Sequence, residues 1–227
     1  MIVQRPPEKA LLIDARPPQL YAAGHLSGAL NLDLSSAPAK LDADLASLEA
    51  YLANLNGEIG AIPDQPVVVY DRGLTGAAAR TAYLLALSGL EVHLWPGGWE
   101  AQATSTEPVR PTAGRPWAKL NREILLTQEE AARYPNLVDV RRPDEFAAGH
   151  IPGARLLPLD QFFAPGVLDR LALRPGDEVG VYCRSGTRSS VAFWILQDQG
   201  VKARNYLGSM LDWQASGREV ERVTENP

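Results

Sequence analysis

Cysteine is almost missing: the 227-residue chain has one, Cys183. A lone cysteine forms no internal disulfide, so a packed core must hold the fold and the thiol is left free for chemistry. Long apolar runs are also missing. None approaches the roughly 18–20 residues needed to span a bilayer. The opening MIVQRPPEKA has no apolar stretch behind a basic start, so no secretory leader is read there and the cytoplasm is the expected location. A basic excess is absent as well. The first 113 residues carry 7 basic and 12 acidic side chains and the remainder 15 of each, which gives no face suited to nucleic acid. The three histidines lie far apart, and no Cys, His and carboxylate cluster has metal-ligand spacing, so no metal is expected. His93 has no partner visible in the sequence. Apolar residues, at 45%, are plentiful enough to bury a core.

The most informative feature is a duplication. LIDARPPQLYAAGHLSGAL (12–30) and LVDVRRPDEFAAGHIPGAR (137–155) align without gaps at an offset of 125, with ten of nineteen positions identical. VVVYDRGLTG (67–76) then aligns with VGVYCRSGTR (179–188) at an offset of 112, so the first half holds 13 more residues between its matched blocks. Blocks repeated in the same order indicate two copies of one domain. The expected organisation is a first domain over 1–103, a linker over 104–122 rich in Pro, Thr and Ala, and a second domain over 123–227.

Within each copy, strands and helices alternate. LLIDA (11–15), VVVYD (67–71), LVDV (137–140) and VGVYC (179–183) are short, near-continuous apolar runs, as in strands buried on both faces of a parallel sheet. Leu41, Leu45, Leu48, Leu52 and Leu55 recur at alternating spacings of four and three, one face of a helix. Thr127 and Glu130 form a capping box, and the helices after the two xVxY strands stop at Gly89 and Gly200. The fold class is α/β: two tandem domains, each a mainly parallel sheet flanked by helices.

Ligands of open α/β sheets bind beyond the carboxyl ends of the strands, where Cys183 sits. The residues after it should bend into a cradle of backbone N–H groups closed by the next helix. Arg184 and Arg188 add permanent charge, and arginine offers forked donors to oxyanions. Cations and helix N-termini favour the thiolate, which is the nucleophilic form. Cys183 is therefore the candidate nucleophile, and Arg184, Ser185, Gly186, Thr187 and Arg188 are the candidate substrate-binding and thiolate-stabilising residues.

Asp-x-Arg, an aromatic, Gly-His-Ile-Pro-Gly-Ala, then a strand ending in Cys and a six-residue loop: this series resembles the rhodanese sulfurtransferases. The duplication resembles the tandem-domain thiosulfate and 3-mercaptopyruvate sulfurtransferases, in which the carboxy-terminal copy is catalytic. The resemblance implies that Cys183 takes a sulfane sulfur as a persulfide and passes it to cyanide or a thiol, with no metal or organic cofactor. The partners it implies are a small anionic donor and a small thiophilic acceptor. The first copy has Asp71 in the place of Cys183 and Gly76 in the place of Arg188, so it is expected to be non-catalytic. Asp14, Arg16, Gly24 and His25 persist in that copy. Their counterparts Asp139, Arg141, Gly149 and His150 are therefore read as scaffold: an ion pair, a turn and a satisfied histidine.

Two other functions fit parts of this pattern. Cysteine phosphatases of related fold place five residues between Cys and Arg, and this chain has four. A non-catalytic binding or regulatory module is the second, against which the intact cysteine and arginine speak. The loop Cys-Arg-Ser-Gly-Thr-Arg is neither the thiosulfate-type Cys-Arg-Lys-Gly-x-Thr nor the mercaptopyruvate-type Cys-Gly-Ser-Gly-x-Thr. Arg184 tilts the expected donor towards thiosulfate.

Overall fold

A computed structural model describes residues 1–35, 37, 44–101 and 105–223 and folds the chain as two compact units. One holds Met1–Ala37 and Asp44–Asn121; the other begins at Arg122.

The first unit runs β1 (Leu11–Asp14), α1 (Pro18–Ala22), β2 (Leu30–Asn31), α2 (Leu45–Glu58), β3 (Val67–Tyr70), α3 (Gly76–Leu87) and β4 (Val92–Trp95). Its strands are all parallel in the order β2-β1-β3-β4. The second unit runs α4 (Gln128–Ala131), β5 (Leu137–Asp139), α5 (Pro143–Ala148), β6 (Arg155–Leu156), α6 (Val167–Leu171), β7 (Glu178–Tyr182), α7 (Thr187–Asp198), β8 (Lys202–Asn205) and α8 (Ser209–Ala215). Its parallel order, β6-β5-β7-β8, repeats the first. Each sheet is flanked by helices, as the duplication predicts.

The continuous apolar runs occupy the inner strands. Every residue of β3 is buried, as are Val179 to Tyr182 of β7, because helices cover both faces of each sheet. The 13 extra residues of the first copy lie in the stretch that holds α2, capped by the Asp44 carboxylate, which accepts the N–H groups of Ala46 and Ser47. Leu48, Leu52 and Leu55 form its buried face and Leu45 is half-buried; Leu41 lies outside the described residues. In the second copy a 3-10 turn (Leu159–Phe163) and the five-residue α6 cover the same side. The Thr127–Glu130 capping box forms, with the Thr127 N–H donating to Glu130 Oε2 at 2.8 Å.

Gly89, just past α3, shows what its position requires. Its φ is +94°, and a Cβ there would lie 2.5 Å from the carbonyl oxygen of Lys119. Residues 105–121 carry no helix or strand, yet they are bound to the first unit. The Trp117 indole N–H donates to the Ala61 carbonyl at 2.7 Å, and the Lys119 N–H to the Ser88 carbonyl at 2.9 Å. His93 corrects the sequence reading, because its Nε2 lies 3.0 Å from Glu91 Oε1. Residues two apart on an extended segment share a face, and that spacing was overlooked. No helix among the described residues is long and apolar enough to cross a membrane.

Candidate active site

Strand β7 lies between β5 and β8 and ends at Tyr182, so Cys183 leaves the carboxyl edge of the sheet near its centre. The chain must reverse within three residues to start α7. Gly186 makes this possible with φ +86° and ψ −13°, a left-handed conformation that costs glycine no Cβ clash. The turn brings the Gly186 N–H to 3.1 Å from Cys183 Sγ. The hydroxyls of Ser189 and Ser190 donate to the Gly186 carbonyl at 3.1 and 2.7 Å and hold the turn from the far side. Cys183 is 1% exposed, with one loop N–H directed at its sulfur and the first turn of α7 directly behind.

The two arginines of the loop have different surroundings. Arg188 is half-buried and makes a two-pronged ion pair with Glu145 of α5, Nη1 to Oε2 at 2.7 Å and Nη2 to Oε1 at 2.8 Å. The Arg188 hydrogen bonds pull the Glu145 carboxyl down to about 2, against a burial effect that raises it. Glu145, and then the nearby charge of Cys183, hold the Arg188 guanidinium above its usual range despite burial. Arg184 is exposed and borders a cavity of about 240 Å³ that it shares with Glu145, Met210 and Gln214. Ser185 and Thr187 are half-buried between the two arginines. All six loop residues of the sequence reading thus lie on one turn, with one cation at the cavity and the other locked to a carboxylate.

Glu145 was missed, although the internal alignment carries its signal. At the offset of 125 its counterpart is Leu20, and the counterpart of Arg188 is Gly76, so the pair is missing as a unit from the first copy. Its contribution to stability follows from the depressed carboxyl. That contribution is complete above the ordinary carboxylate value of 4.5 and fades as pH falls towards about 2. Replacing Glu145 with Gln is expected to destabilise the chain by about 1–2 kcal/mol at pH 7, allowing for partial exposure. The gap from the parent should narrow at pH 3, as urea unfolding at both values would show; a gap that widens in acid contradicts the pairing.

The first copy uses its loop differently. Asp71 turns its carboxylate inward, where Oδ1 accepts the Arg72 N–H at 2.6 Å and Oδ2 accepts the Thr75 hydroxyl. A carboxylate fills the place of the sulfur.

The shared motif residues form the same frame in both units. Arg141 donates to the Asp139 carboxylate and, through Nη2, to the Gly149 carbonyl at 2.7 Å; Arg16 does the same to Asp14 and to the Gly24 carbonyl, also at 2.7 Å. His150 Nδ1 lies 3.0 Å from the Phe146 carbonyl and the ring stacks on Phe146 at 3.6 Å; His25 repeats this on Tyr21 at 3.0 and 3.7 Å. A carbonyl only accepts, so His150 Nδ1 is the donor to Phe146; His25 faces carbonyls with both ring nitrogens, its Nε2 lying 3.0 Å from that of Glu107. The Tyr182 hydroxyl accepts the Ile151 N–H at 3.1 Å, and burial, then the Asp139 carboxylate, push its ionisation upward. The frame ties the Asp-x-Arg corner to the Gly-His turn beneath the loop.

Among the described residues no group of three or more His, Cys, Asp and Glu side chains is placed to hold a metal ion. A larger cavity of about 580 Å³ lies at the opposite edge of the sheet, where β7 and β8 begin, walled by Arg122, Glu178 and Lys202. Cys183 and its loop are not among the residues that line it, so its size does not make it the site of thiol chemistry.

Comparison with known proteins agrees with the geometry. A family model described as "Rhodanese-like domain" matches residues 3–104 and 122–216. A thiosulfate sulfurtransferase of Corynebacterium glutamicum is 32% identical, over 91% of this chain and 82% of that protein. The crystal structure of a probable thiosulfate sulfurtransferase superposes with a TM-score of 0.89 at 48% identity, covering 96% of this chain and 99% of that one. A 3-mercaptopyruvate sulfotransferase of Escherichia coli shares the fold, with a TM-score of 0.71 at 24% identity over 89% of this chain and 93% of that one.

Proposed function

The chain belongs to the rhodanese family, and on that premise we propose how its second unit carries out the chemistry. The protein is a sulfurtransferase that takes sulfur from a small donor and gives it to a small acceptor. Cys183 is the nucleophile. Its thiolate attacks the outer sulfur of thiosulfate, the sulfur–sulfur bond of the donor breaks, and sulfite leaves with the bonding pair. The cysteine is then a persulfide. Cyanide, or the thiolate of another acceptor, attacks the terminal sulfur, thiocyanate or a new persulfide leaves, and the Cys183 thiolate is regenerated. The two steps balance without an external oxidant or reductant.

The observation that carries this reading is the 3.1 Å approach of the Gly186 N–H to Cys183 Sγ at the head of α7. A backbone donor fixed by the fold stabilises negative charge on sulfur without reorganising when the charge develops. Arg188 and the loop backbone hold the persulfide, while Arg184, at the cavity, meets the anionic end of the donor. Thiosulfate is the favoured donor and 3-mercaptopyruvate the alternative. Arg184 supports the first, as do the names of the relatives; Ser185 is the feature shared with the second. The four-residue spacing between Cys183 and Arg188 argues against phosphate ester chemistry. A cytoplasmic location is part of the proposal, because a reducing compartment keeps the lone thiol free. Thiocyanate formation from thiosulfate and from 3-mercaptopyruvate, with an aryl phosphate assay beside them, tests the reading: turnover of thiosulfate at the higher specificity constant supports it, and hydrolysis of the phosphate ester alone overturns it.

A further inference from the structure

The nucleophile is also held from outside its own loop. The N–H of Cys183 donates to Ser209 Oγ at 3.1 Å, and that hydroxyl in turn donates to the Tyr206 carbonyl at 2.8 Å. The carbonyls of Cys183 and Arg184 accept the N–H groups of Met210 and Leu211 at 3.2 and 3.0 Å. The first turn of α8 thus grips both backbone polar groups of the nucleophile and one of the residue after it.

Ser209 is fully buried and has φ +54°, a conformation that glycine adopts freely and serine does not. The duplicated copy supplies the comparison. β3 pairs Val69 with Leu94 and β7 pairs Val181 with Asn205, which aligns Tyr206-Leu207-Gly208-Ser209 with Trp95-Pro96-Gly97-Gly98. The copy with Cys183 has a serine at φ +54°; the copy with Asp71 has Gly98, which lies outside the left-handed region, would bring a Cβ to 2.6 Å from that of Tyr70 and has no hydroxyl to offer.

We infer that Ser209 is a positioning residue for sulfur transfer, whose hydroxyl sets the direction of the Cys183 peptide and so aims Sγ at the Gly186 N–H. The inference rests on the sulfurtransferase reading above. Without the hydroxyl, the buried Cys183 N–H has no acceptor, and the peptide turns to find one. The sulfur then leaves the 3.1 Å approach, which slows the chemical step, while Ser209 itself is not among the residues that line the cavity at Arg184.

The test compares Ser209→Ala and Ser209→Gly in the full chain. Both remove the hydroxyl, and only glycine also relieves the backbone. Four quantities are read: kcat and KM for thiosulfate with cyanide, the rate of Cys183 alkylation by iodoacetamide at pH 7, and the unfolding midpoint. Both variants are expected to lose kcat by roughly tenfold with KM within about twofold, and to be alkylated more slowly in proportion. The glycine variant should unfold no earlier than the alanine variant yet be no more active. Unchanged alkylation and kcat in both variants would overturn the inference. So would activity that follows the unfolding midpoint, with glycine near the parent and alanine impaired, because the effect would then be one of stability. Alkylation requires no sulfur donor, so it decides the role of Ser209 even if the parent protein makes no thiocyanate.

Discussion

Replacing Cys183 with Ser is expected to reduce thiocyanate formation to the uncatalysed background with either donor, while the unfolding midpoint stays within about 3 °C of the parent. The reasons lie in the site. Cys183 is the chain's one cysteine, so no second thiol can substitute for it. Serine is smaller than cysteine and its oxygen is also an acceptor, so the turn into α7 is expected to hold. The serine hydroxyl is not ionised at neutral pH, however, and cannot take sulfur as a thiolate does. Gas-free assays over pH 6–9, with circular dichroism on the same samples, make the comparison. Turnover undiminished in the serine variant would remove Cys183 from the mechanism.

The second large effect separates the two cations of the loop. Arg188→Ala is expected to lower the specificity constant for both donors, because it leaves the Glu145 carboxylate facing the loop without its partner and deprives the thiolate and persulfide of a nearby positive charge. Arg184→Gly is expected to harm thiosulfate selectively, because Arg184 is exposed at the cavity, where, in the proposed mechanism, it meets the anionic end of the donor. Losing one charge-assisted contact is worth about 1.5–3 kcal/mol, so the thiosulfate constant should fall roughly ten- to a hundredfold in each variant. Only Arg184→Gly should shift the ratio towards 3-mercaptopyruvate. Arg72 occupies the place of Arg184 in the copy that has Asp71 for Cys183, so a merely solvated Arg184 is the competing reading, and it would leave both donors unaffected. An equal fall for both donors in Arg184→Gly would instead make the two arginines one undivided field.

Much of this fold is visible in the sequence because the inner strands are buried on both faces. β1, β3, β5 and β7 are runs without charge except at one end, where Asp14, Asp139 and Glu178 stand, and they read as strands at sight. Three of the outer strands, β2, β6 and β8, give no such signal. β8 is Lys-Ala-Arg-Asn; its inward side is made by Ala203 and by Asn205, whose side chain donates to Ser190 Oγ, so no apolar run marks it. β2 and β6 are two residues long, too short for any periodicity. At the site, the loop was legible because cysteine, glycine and arginine each have a local reason to be there. Glu145 and Ser209 were not, since they reach the loop from elements 43 and 26 residues away in sequence. Both become visible only when the two copies are compared position by position: Leu20 and Gly98 stand in their places in the copy that has Asp71.

The most direct measurement is of the covalent intermediate. The full-length protein is incubated with thiosulfate in the absence of acceptor, digested without reductant and analysed by mass spectrometry. The account predicts one added sulfur atom on the peptide that contains Cys183, and its loss when cyanide is added, with an equivalent amount of thiocyanate formed. Catalytic turnover of thiosulfate with no sulfur ever found on Cys183 would contradict it.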